Sequence, residues 1–182
     1  MWSPPPEHPL RRLFAGYTEQ TFQSRFGVAD PPLVDYLSDL LSRFVSTAAV
    51  YRLRDSAGRV LAQIADMAIE AAQLPPEGRT AREVHRHIGD FALFWTGVYP
   101  EALNRLRSAM CKDFFVDYCA TGKRSYYIAS TFDDDPSYRD EAHVLRRLSE
   151  EFELCAYGLT EVRREWERSR GDLGQFDGRI IQ

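Results

Sequence analysis

Apolar residues recur along this chain at three- and four-residue steps, and no stretch sustains the polar–apolar alternation of a strand. The longest such run comes last. Leu145, Leu148, Phe152, Cys155, Leu159, Val162 and Trp166 follow one another at steps of 3, 4, 3, 4, 3 and 4. This predicts a helix from about Pro136 to Arg170 with a heptad-spaced apolar seam. Asp135 stands where a cap is wanted, Asp140 and Glu141 lie in the early turns, and Arg168 and Arg170 lie at the end, all favourable to the helix dipole. Gly158 is its one weak point, costing about 1 kcal/mol relative to alanine in an exposed helix interior.

Shorter helices are expected upstream. Leu10, Leu13, Phe14, Tyr17, Phe22 and Phe26 share a face, and Gly27 suits the stop. Asp30 can cap the next helix, Pro31 can open it, and Leu33, Leu37, Leu40, Leu41, Phe44 and Val45 form its face. Asp55-Ser56-Ala57-Gly58 reads as a turn or break before Val60, Leu61, Ile64, Met67, Ala68, Ala71 and Ala72, and Pro75-Pro76-Glu77-Gly78 ends that segment. Thr80 with Glu83 fits a capping box for a helix reaching about Tyr99, and Pro100 opens a short helix through Met110. Between Asp113 and Phe132 helical spacing prevails, with a strand at Ser125–Ile128 as the alternative. The fold class is therefore all-α: a bundle of about six or seven helices with one long C-terminal helix. Residues 1–8 form a Pro-rich leader, 9–170 a single helical domain, and 171–182 a loose Gly- and Asp-rich tail. No internal repeat survives counting.

Composition narrows this only a little. In 182 residues, 44% hydrophobic and 27% charged is the balance of a packed domain. The net charge of −4, with cations interleaved among acids, argues against a nucleic-acid partner, which needs a basic stripe. Of 23 cations only Lys112 and Lys123 are lysines. Arginine forks suit planar carboxylates, so intramolecular ion pairs are one reading of that bias, and a GC-rich coding sequence is the other. Cys111, Cys119 and Cys155 are odd in number and widely spaced, as reduced thiols are. The N-terminus has no apolar signal region, and no apolar run approaches the roughly 20 residues that cross a bilayer. A cytoplasmic location without a membrane partner is the expectation.

Candidate chemistry centres on Glu83-Val84-His85-Arg86-His87-Ile88-Gly89-Asp90. On a helix His85 and His87 project about 200° apart and cannot share an ion. What survives is the stripe Glu83, His87 and Asp90, bordering the apolar face of Val84, Ile88, Phe91 and Trp95. Such a trio can meet a ligand or move a proton with help from another helix, from Tyr126, Tyr127 or His143. It can equally be a boundary histidine held by bonds along its own helix. It lacks the repeated Glu-x-x-His pair of di-iron bundles, and neither a metal nor a cofactor is expected. Gly122-Lys123-Arg124-Ser125 fails as a phosphate loop because Asp117 replaces the first glycine and Arg124 the hydroxyl residue. The run from Asp133 lacks the glycine and the bidentate glutamate of a calcium loop. Cys119 and Cys155 fall on apolar faces, as inert buried thiols do. Phe94, Trp95, Val98 and Tyr99 exceed what one helix face needs, so Phe91–Pro100 is either deep core or an interaction patch.

Two functions remain in view. One is a non-enzymatic interaction protein that pairs with itself, as a homodimer, or with a protein partner. Its contact would be the distal seam Leu159, Val162 and Trp166, which the shorter helices upstream are not long enough to cover. The other is a ligand site inside the bundle, around Glu83, His87, Asp90 and Tyr126.

Overall fold

A computed structural model describes residues 8–75, 78–103, 117–132 and 136–177, with the side chains of 170–177 left aside. Eight α-helices follow one another among these residues. They are α1 (Pro9–Glu19), α2 (Pro31–Phe44), α3 (Thr47–Val50), α4 (Ile64–Gln73), α5 (Arg79–Gly97), α6 (Tyr118–Ser130), α7 (Pro136–Glu150) and α8 (Phe152–Asp177). Helix α5 is the hub: it packs on α6 most extensively, and also on α8, α4 and α2. The described residues contain no strand, only an isolated antiparallel bridge between Arg54 and Val60. The all-α bundle thus holds, and no helix among the described residues is long and apolar enough to cross a membrane.

Local chemistry explains most boundaries. Asp30 caps α2, its Oδ1 accepting from Leu33 N at 3.2 Å, and Pro31 opens it. Gly27 stops the first helical segment with φ +67°, a region open to glycine. The Asp55–Gly58 turn closes as expected, but it consumes more chain than periodicity suggested. Asp55 Oδ1 accepts from Ala57 N and Arg59 N, and Val60 bridges back to Arg54, so α4 starts only at Ile64. Thr80 is not a cap. Helix α5 begins at Arg79 after Gly78 without a side-chain cap, and the Glu83 carboxylate binds Arg82 instead of closing a capping box. Ser125–Ile128 is helical, inside α6, so the strand alternative fails. Residues 100–103 are helical, while the rest of the helix expected through Met110, Cys111 and the cap Asp135 lie outside the described residues.

The C-terminal seam is core, with one correction. Leu145, Leu148, Phe152, Cys155, Leu159 and Val162 are all buried, but the helix is interrupted at Glu151, giving α7 and α8 in place of one rod. Immediately after the break the Phe152 ring lies against Gly122 of α6, close to Ala92 of α5. Burying such a side chain is worth about 1.5–3 kcal/mol. This split and the four-residue α3 raise the helix number above six or seven. Helix α8 also runs past Gly171 to Asp177.

The first helical segment widens to a π-helical turn at Gln20–Arg25. That turn carries Phe22, fully buried, onto Gly158 of α8, where any Cβ would collide with the ring. Arg25, on the same turn, forks to Glu161 at 2.8 Å and Glu165 at 3.0 Å. Gly158, a weak point by helix propensity, is the notch that admits Phe22.

Candidate functional site

The stripe of α5 picked out by spacing is buried more deeply than a boundary. His87 and Asp90 are wholly inaccessible, and Glu83 is about one-third exposed at its side chain. Asp90 Oδ1 accepts from the Tyr36 hydroxyl of α2 at 2.6 Å and from the Tyr126 hydroxyl of α6 at 2.9 Å. Its Oδ2 accepts from Arg43 Nη1 at 3.1 Å, and Arg86 Nε lies 4.0 Å away. Burial alone would raise the Asp90 pKa, but Arg43, Arg86 and the Tyr36 hydroxyl together hold it below the ordinary carboxylate range. Tyr126 can approach because Gly89 stands opposite its ring: a Cβ there would lie 2.6 Å from Cδ1.

His87 has a different set of partners. Its Nδ1 accepts from Arg52 Nε at 2.9 Å, which leaves Nε2–H to donate to the Val50 carbonyl at 3.1 Å. Burial, then the Arg52 charge, pushes its pKa down to about 3, so the ring is neutral. Glu83 turns away from both, its carboxylate accepting from Arg82 Nη1 at 2.8 Å. Arg82, buried beneath the Tyr138 ring, also pairs with Glu141, as does Arg86 at 3.0 Å.

The stripe therefore brings Asp90 and Tyr126 together but does not converge on a ligand. Each member is directed at a different internal partner, and both ring nitrogens of His87 are occupied. Tyr127 instead stacks under Arg146, and His143 is exposed. Among the described residues no group of three or more His, Cys, Asp or Glu is arranged to hold a metal ion. Sequence spacing missed Arg43, Arg52, Tyr36 and Arg86, which complete the network from other helices or other turns. The arginine bias was the available signal, and its ion-pair reading describes Arg43 and Arg86, whereas Arg52 binds the neutral His87 ring and the Glu83 carbonyl. Cys155 is buried with its thiol pushed up to about 12 by burial, then by Glu151.

The distal seam also differs from expectation. Leu159 and Val162 are core residues, and α1 and the π-helical turn lie against this part of α8. The internal partner thought to be missing is thus present: Leu159 offers no surface to another molecule, and Val162, almost wholly covered, contributes only to the floor of the groove described below. Trp166 keeps part of its surface and packs edge-on against Phe14 of α1, ring centres 5.9 Å apart.

Beside Trp166 lies an open groove of about 320 Å³ between α1, the α2–α3 corner, the C-terminal half of α5, and α8. Seven aromatic residues line it: Phe14, Phe44, Tyr51, Phe94, Trp95, Tyr99 and Trp166. The aromatic-rich end of α5 and the distal end of α8, read separately as candidate patches, are two walls of this one groove. Phe94, Trp95 and Tyr99 pack on one another with ring centres 5.6–6.0 Å apart. The indole N–H of Trp95 is buried and has no hydrogen-bond partner among the described residues. At the rim Arg163 donates to the Val98 carbonyl and to Glu101, each at 2.6 Å, and lies over the Tyr99 ring. Among the described residues the lining holds no carboxylate, imidazole or thiol; its polar residues are Thr47, Tyr51, Tyr99, the two tryptophans and Arg163, and the rest is apolar.

Compared with protein-family models, curated proteins and solved structures, the chain matches none.

Proposed function

We propose that this protein is a binding module that takes up a small, planar, apolar molecule in the aromatic groove. One observation carries the reading: seven aromatic side chains surround about 320 Å³ of open space, within the roughly 300–1,000 Å³ of small-molecule sites. Aromatic walls favour a flat ligand through edge and face contacts.

A protein partner is the second reading, favoured by Val45, which lines the groove with 52% of its surface exposed. A homodimer or other partner would insert a side chain beside Trp166, over the floor to which Val162 contributes and without Leu159. The larger exposed apolar side chains lie on separate elements, Leu13 on α1, Ile69 on α4, Tyr127 on α6 and Tyr157 on α8.

The test is a fluorescence titration with N-phenyl-1-naphthylamine, a neutral planar probe. Saturable one-to-one binding is expected for the wild type. Binding at least ten-fold weaker is expected for Thr47→Trp, which fills the groove from an exposed lining position. Equal binding by both proteins, or none by either, would remove the proposal. A second copy of the chain competing with the probe at raised protein concentration would favour the homodimer instead.

A further inference from the structure

A second concavity, of about 450 Å³, opens between α4, α5 and α6, away from the aromatic groove. Three helix stripes face it: Ala68 and Ala72 four apart on α4, His85 and Ile88 three apart on α5, and Thr121, Arg124, Ser125 and Ile128 on α6. The polar part of this lining is all of one character. It consists of one guanidinium, one imidazole and two hydroxyls, with no carboxylate among the described lining residues. In a chain of net charge −4 such a cleft stands out.

Two of its polar groups lack protein partners among the described residues. His85 Nδ1 is buried and makes no hydrogen bond among the described residues. Arg124, exposed, makes no ion pair among them, whereas its neighbour Lys123 is committed to Glu153 at 2.6 Å. A buried polar atom without a partner is normally satisfied by something. The rest of the lining is apolar and small: three alanines, counting Ala120, and two isoleucines. A planar two-oxygen anion matches a guanidinium fork, and a single cation matches one negative charge. The apolar walls need a tail to cover them.

We infer that this cleft binds a small monocarboxylic acid with an aliphatic tail, its carboxylate on Arg124 and its tail along Ala68, Ala72 and Ile128. Thr121 and Ser125 supply the further hydrogen bonds around the head group, and the His85 ring forms part of the wall. Inorganic phosphate, with more charge and no tail, is a poorer match.

Isothermal titration calorimetry with octanoate, 1-octanol and inorganic phosphate tests this on the full chain. Octanoate is expected to bind at one site, at least ten-fold more tightly than either octanol or phosphate. Arg124→Ala is expected to weaken octanoate binding at least ten-fold without changing the melting temperature, because the side chain is exposed, and Arg124→Lys to recover part of the loss. Ala68→Phe, which fills the cleft from an exposed position, is expected to abolish binding. Thr47→Trp, which blocks the aromatic groove, is expected to bind octanoate as the wild type does, so this inference and the groove reading fail separately. Equal affinity for octanoate and octanol, tighter binding of phosphate, unaltered binding by Arg124→Ala, or loss of binding in Thr47→Trp would each overturn it.

Discussion

His87 is held neutral by the Arg52 N–H on one side and the Val50 carbonyl on the other, and this gives the fold a particular acid sensitivity. Its pKa in the folded protein is about 3, against about 6.5 for the unfolded chain. Between those values the unfolded chain binds the extra proton, so stability falls as the pH falls from about 6.5 toward 3. At about 1.4 kcal/mol per pH step, the loss from this one residue reaches roughly 4–5 kcal/mol. His87→Gln can accept from Arg52 and donate to Val50 but does not titrate. Urea unfolding at pH 7, 5 and 4 is expected to show a flatter pH dependence for that variant, and an unchanged slope would count against a neutral buried His87. Asp90→Asn leaves Arg43 with Asp39, at 2.7 Å, as its remaining carboxylate, removes the charged acceptor of Tyr36 and Tyr126, and is expected to cost about 1–3 kcal/mol in the same assay. Spacing alone placed Glu83, His87 and Asp90 on one stripe, and that much was right. It offered bonds along the same helix as the bland alternative, whereas the actual partners Tyr36, Arg43, Val50 and Arg52 come from elsewhere in the chain. Periodicity describes the face of one helix and carries no information about which residue of another helix meets it.

At the scale of elements, the contact between the π-helical turn and α8 decides the sign of a substitution that propensity gets wrong. Gly158→Ala improves the intrinsic helix preference by about 1 kcal/mol. It also drives a methyl group into the Phe22 ring, which has little room to yield in a buried setting. A net loss of about 1–3 kcal/mol is expected from overpacking. In a Phe22→Ala background the same change is expected to stabilise, and thermal unfolding of the four proteins in this cycle is the check. The seam makes a plainer case. Leu148 and Phe152 are fully buried on either side of the break at Glu151, so Leu148→Asp or Phe152→Asp is expected to prevent folding, seen as insoluble expression. The seam, the Asp30 cap and the Gly27 stop were legible because each depends on residues close together in sequence. The break at Glu151, the π-helical turn and the role of Gly158 were not, because long-range contacts with Gly122 and Phe22 set them.

For the molecule as a whole, α5 joins both regions of interest: its middle holds the buried Asp90 network, and its C-terminal turns wall the aromatic groove. The network ties α2, α5, α6 and α7 together through side chains whose loss is costly, so it fixes the frame rather than offering a site. The groove is where that frame leaves aromatic surface open. Its two walls were each visible in the sequence as an excess of large apolar residues, at Phe94–Tyr99 and at Trp166. Their meeting was not, since residues 95 and 166 are brought together only by the crossing of α5 and α8. The most direct measurement is the position of the indole N–H signals of Trp95 and Trp166 in a ¹H–¹⁵N correlation spectrum during titration with N-phenyl-1-naphthylamine. Both are expected to shift along one saturation curve through the ring currents of the bound probe, while the backbone signals of Thr121 and Arg124 in the second cleft stay in place. Binding of the probe with the Trp95 and Trp166 signals unmoved would contradict the assignment of the groove as the binding site.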